Sequence, residues 1–143
     1  MNGRILLDTN ILVYIYDPCD LSKQNQALAV VNQLIQANRA VISTQVMGEF
    51  FMATTRVRRP LLSPAEAIAR IRNYMSACHV VDITQLITLE AIRGIEVHNF
   101  AFWDAQIWAT ARLNQISEIY SEDFNVGSMI EGVRFTNPLL EGL

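Results

Sequence analysis

Lysine is nearly absent from this 143-residue chain: Lys23 stands alone against ten arginines. Cysteine and histidine are equally sparse, with two of each. Cys19 and Cys78 have no metal-ligand spacing and are too few for a disulfide framework, which leaves free thiols in a reducing compartment. His79 and His98 are not placed as a pair, so a histidine-based zinc site is excluded and each reads as structural. Charge of one sign is also lacking. The net charge is −3, and the surface as a whole does not advertise nucleic-acid binding. Long apolar runs are missing too. The first is broken by Asp8 and again by Asp17, so no stretch spans a bilayer, and "ILL" is too short for the core of a signal peptide. The expected location is the cytoplasm, with no membrane partner.

Apolar residues, by contrast, are plentiful, at 51% with a mean hydropathy of +0.20. No repeat, low-complexity tract or linker divides the chain, so residues 1–143 are read as one domain large enough to bury its own core. The apolar surplus points to surface committed to a partner or a homodimer. The bias toward arginine suits bidentate contact with phosphate or carboxylate.

Apolar periodicity places the elements. Short buried strands are expected at Ile5–Leu7, Val41–Ser43, His79–Val81, Ile119–Tyr120 and Val133–Phe135. Helical stripes cover Leu21–Ala37, Gln45–Val57, Leu86–Val97 and Ala101–Leu113. A further helix opens at "SPAEAIARIRNYMSAC", where Ser63, Pro64 and Glu66 spell a capping box. Strands this short, alternating with helices, predict an α/β fold: a three-layer α/β/α sandwich around a mostly parallel sheet of about five strands. Ligands of such sheets bind beyond the carboxyl ends of the strands.

Four carboxylates stand where a fold alone would not put them. In "RILLDTNILVY" Asp8 interrupts an apolar run at a strand end, and in "IYSEDF" Asp123 follows another. On the helix of "QVMGEFFMATTRV", Val46, Phe50 and Ala53 define the buried stripe and Glu49 falls inside it. On "FWDAQIWATARL", Asp104 leads the stripe of Ile107, Trp108 and Ala111. Each acid has an ordinary explanation by itself: helix cap for Asp8, helix dipole for Asp104, rim residue for Glu49, turn for Asp123. Together they carry a desolvation and repulsion cost that no set of basic residues offsets, since only Arg56 lies on these stripes. A hard divalent cation, Mg²⁺ or Mn²⁺, is the economical counter-charge for a set of oxygen donors.

With these residues in place, the chain resembles a PIN-domain ribonuclease of the VapC toxin type. "LLDTNILVY", "STQVMGEFF", "FWDAQIWATA" and "IYSEDFNVGSMIEGVRFTNPL" resemble, in order, the four acid-bearing segments of that family, from Leu6 to Leu139. The resemblance implies a commonly dimeric PIN fold and metal-binding, catalytic acids at Asp8, Glu49, Asp104 and Asp123, with Asn10, Ser121 and Glu122 supporting the site. Whether Glu122 or Asp123 faces the metal stays open, with Asp123 favoured. It further implies a Mg²⁺- or Mn²⁺-dependent endoribonuclease leaving 5′-phosphate and 3′-hydroxyl ends, with RNA as substrate and an antitoxin protein as partner. "TTRVRRP" offers Arg56, Arg58 and Arg59 for phosphate contacts, or else a solvated helix end. Rival readings are a nuclease of RNA processing or of single-stranded DNA, and an inactive PIN-like scaffold. A phospho-receiver domain would want a lysine late in the fold. A phosphatase with an aspartate nucleophile would want an acid at Asn10.

Overall fold

Each helix begins where a side chain can satisfy its first free amides. The computed structural model of the chain describes residues 3–139. Asp8 caps α1 (Thr9–Tyr14), Asp20 caps α2 (Leu21–Gln36) and Ser43 caps α3 (Thr44–Thr54). Ser63 and Glu66 close the expected capping box on α4 (Pro64–Ala77), and Thr84 caps α5 (Gln85–His98). The exception is α6 (Phe102–Leu113), whose cap residue Ala101 contributes no side-chain bond.

The strands are β1 (Ile5–Leu7), β2 (Ala40–Ser43), β3 (His79–Val81), β4 (Glu118–Tyr120), β5 (Met129–Ile130) and β6 (Val133–Thr136). They form one sheet in the order β3-β2-β1-β4-β6-β5. All pairings are parallel except β5 with β6. The described residues therefore hold six strands rather than about five. The extra one is a two-residue hairpin arm, too short to leave a periodic signal. Two further differences concern helices. α3 ends at Thr54, three residues short of Val57, and the chain after Asp8 turns directly into the short helix α1.

Alternation along the strands builds the three layers. Ile5, Leu7, Ala40 and Ile42 face α1 to α4 in one core, with Phe50 and Val31 among their neighbours. Leu6, Val41, Ile119 and Phe135 face α5 and α6 in the other, around the fully buried Trp108. The chain leaves β1 toward β2 and β3, then returns to β4 on the other side of β1. That reversal leaves a crevice beyond the carboxyl ends of β1 and β4. No helix among the described residues is long and apolar enough to cross a membrane.

Candidate active site

At that crevice Asp8 is both the last residue of the β1 ladder and the cap of α1. Its backbone N–H donates to Tyr120 O at 2.9 Å, extending the β1–β4 pairing. Oδ1 accepts from Thr9 N–H at 2.7 Å, and Oδ2 accepts from the Ser121 hydroxyl at 2.7 Å. The side chain is thus fixed at both oxygens. Burial pushes its carboxyl up to about 6, despite the lowering effect of those two bonds. The nearby charges of Glu49 and Asp104 push the same way as burial.

The other acids arrive from separate elements. Glu49 stands on α3, half-buried beside the Val46–Phe50–Thr54 stripe rather than within it, and Ala53 turns toward the cavity. Asp104 lies in the first turn of α6 and, unlike the other three, makes no side-chain hydrogen bond. Burial holds its carboxyl above the usual range, and the charges of Asp123 and Glu49 add to this. Asp123 sits on the exposed loop after β4, where its Oδ1 accepts a long bond from Asn10 Nδ2 at 3.4 Å. All four line one open cavity of about 1130 Å³. Among the described residues no ion pair engages any of them.

The supporting residues divide. Ser121, fully buried, holds Asp8, while Asn10 reaches Asp123 and keeps its own Oδ1 buried without a partner. Glu122 points elsewhere: it takes Lys23 and the Tyr14 hydroxyl and does not line the cavity. The chain's single lysine therefore ties down the acid next to Asp123. Arg56 lines the cavity, past the end of α3. Arg58 and Arg59 do not, and the Arg59 guanidinium contacts Cys19 Sγ instead.

Sequence reasoning passed over two residues that hold Glu49 and a third that holds one of them. The Thr9 hydroxyl donates to its Oε1 at 2.5 Å, and Gln45 Nε2 donates to its Oε2 at 3.2 Å. Gln45 is in turn set by α6: its Oε1 accepts from Gln106 Nε2 at 2.9 Å, and its Nε2 also donates to Trp103 O at 3.1 Å. Gln106 left a signal, since it is a buried amide in a helix whose neighbours from Ala105 to Ala111 are all buried. Such a group must find a partner.

A hard cation fits this set by donor chemistry: four carboxylates without a counter-ion and an orphaned amide oxygen, in a cavity whose lining offers neither His nor Cys. Among the described residues no three acids are already gathered tightly enough to enclose an ion.

The sequence profile of the PIN domain family matches residues 5–128, which include all four acids. The chain belongs to the PIN domain family. Solved structures share the fold of this PIN domain. VapC20 of Mycobacterium tuberculosis, a toxin that cleaves the sarcin-ricin loop, superposes with a TM-score of 0.67 at 19% identity, over 89% of this chain and 97% of its own. A toxin–antitoxin complex from Klebsiella pneumoniae gives 0.65 at 21% identity, over 94% and 97%. VapBC2 of Rickettsia felis, bound to DNA from its promoter, gives 0.66 at 17%, over 93% and 97%. No curated protein matches the chain by sequence.

Proposed function

We propose that this PIN domain is a divalent-metal-dependent endoribonuclease and the toxin of a toxin–antitoxin pair. The observation that carries the reading is the meeting of Asp8, Glu49, Asp104 and Asp123, from four separate parts of the chain, in one cavity with no ion pair among the described residues to balance them. When bound there, Mg²⁺ or Mn²⁺ supplies an acidified water and positive charge for the scissile phosphate. Asp8 and Asp104 would hold the ion, with Glu49 and Asp123 as further oxygen donors from the same cavity. Ser121 and Thr9 lock the rotamer of Asp8, and Thr9 with Gln45 locks that of Glu49, so the donors need little rearrangement. Hydrolysis adds water across one phosphorus–oxygen bond: hydroxide joins phosphorus and the proton goes to the leaving 3′ oxygen. Arg56 is the cation nearest to hand for a neighbouring phosphate.

The toxin assignment is supported by neighbours of the same fold that are toxin–antitoxin complexes. A homodimer is supported by exposed apolar residues, of which Leu86, Leu89 and Val97 lie on α5. The test uses purified protein and end-labelled RNA containing a hairpin loop. Cleavage is expected in Mg²⁺ or Mn²⁺, none in EDTA, and a loss in Asp104→Asn beyond the roughly 10- to 100-fold that changing a mere partner of a metal ligand costs. Undiminished cutting in EDTA, or by Asp104→Asn, contradicts the metal mechanism. Preferential cutting of a DNA strand of the same sequence contradicts the choice of RNA.

A further inference from the structure

The acids form only part of the cavity; much of its wall is apolar and open to water. Trp103 is 60% exposed and Met52 is 70% exposed, one from α6 and one from α3, and both line the cavity that holds the carboxylates. The indole is not needed in the core, which Trp108 already fills. Nor is the ring loosely attached. Phe102 packs edge to face on it, with centroids 4.8 Å apart and planes at 84°. The backbone carbonyl of Trp103 accepts from Gln45, the same amide that holds Glu49. One side chain thus ties the backbone at Trp103 to Glu49, and the residue after Trp103 is Asp104.

We infer that Trp103 is a stacking platform for a nucleobase next to the scissile phosphate. The proposal rests on the nuclease reading above and adds to it a residue of this chain that holds the base. A base and its phosphate belong to one nucleotide, which suits a site where an indole and a metal-binding acid are adjacent residues. Stacking asks only for a π face, so the platform selects for an unpaired base rather than for a particular one. Arg56 on the same cavity supplies the positive charge that a flanking phosphate needs. A paired base keeps its faces covered by its neighbours and cannot use the ring.

Two measurements decide it. The first is cleavage of a loop RNA and of the same RNA with single abasic nucleotides beside the cut site. Trp103→Ala is expected to lose roughly 10-fold in rate, Trp103→Phe to retain most of it, and the abasic change to slow the wild type by a similar factor but Trp103→Ala hardly at all. The second needs no turnover. Trp108 is fully buried, so acrylamide quenching reports on Trp103. With Mg²⁺ present, and read within seconds of mixing, loop RNA is expected to shield Trp103 from acrylamide while a fully paired duplex does not. Unchanged cleavage and an unchanged abasic penalty in Trp103→Ala overturn the proposal, leaving the ring to a protein partner and the nuclease reading intact. Absence of cleavage by the wild type overturns the nuclease reading, and the quenching arm then still decides whether Trp103 meets an unpaired base: shielding by loop RNA alone supports it, and no shielding overturns it.

Discussion

Asp8 performs two tasks that usually exclude each other, capping a helix and facing a cluster of like charges. The consequence is a pH dependence of known sign. Its folded-state carboxyl is pushed up to about 6 from an ordinary 3.8, first by burial and then by Glu49 and Asp104. Between about pH 4 and 6 the metal-free native protein holds a proton that the unfolded chain has released, so this residue's contribution falls as pH rises through that window. The loss is at most about 3 kcal/mol. Glu90, drawn down to about 2 by Arg93 and Arg112, acts in a lower and separate window, where stability is lost as pH falls. Urea unfolding in EDTA at pH 4 to 8 is expected to show the decline in the wild type and a flatter profile in Asp8→Asn; parallel profiles would mean that Asp8 is not strained. The choice of Asp123 over Glu122 as the cavity residue was only a preference in the sequence, because what decides it is the embrace of Glu122 by Lys23 and Tyr14, about a hundred residues distant in the chain.

Among the elements, the α5–α6 pair carries the tightest contact. A Cβ placed on Gly94 would stand 2.7 Å from Trp108 Cζ3 and 3.2 Å from Phe100 Cδ2. Trp108 has little room to yield, being fully buried with its Nε1 bound to Ile130 O at 3.2 Å. Overpacking costs about 1–3 kcal/mol, whereas alanine's better helix propensity returns about 1. Gly94→Ala is therefore expected to lower stability by up to about 2 kcal/mol in urea unfolding, and a gain would mean that the two helices separate easily. The helices themselves were legible from stripes and caps, and so were the parallel strands from short apolar runs. β5 was not, because two residues carry no period, and α1 was foreshadowed only by the cap reading of Asp8, because six residues are too few to show a stripe. The site was legible as acids out of place. Its bracing by Thr9, Gln45 and Gln106 was not, since those bonds join α1, α3 and α6 only in the folded chain.

For the molecule as a whole, the fold places its carboxylates where metal-free folding works against their mutual repulsion, and on the proposed function an ion bound only by the native state would reverse that balance. Thermal unfolding at pH 8 compares the two conditions directly in wild type and Asp104→Asn. Without metal, removing one charge from the half-buried position 104 is expected to raise stability by about 1 kcal/mol after solvent screening, or roughly 3 °C for a chain of this size. With Mn²⁺ at about 100 times its dissociation constant, the wild type is expected to gain about 2.7 kcal/mol by mass action, and Asp104→Asn much less. If Asp104→Asn melts below the wild type in EDTA and Mn²⁺ moves neither curve, the four acids do not form a metal site and the account is wrong.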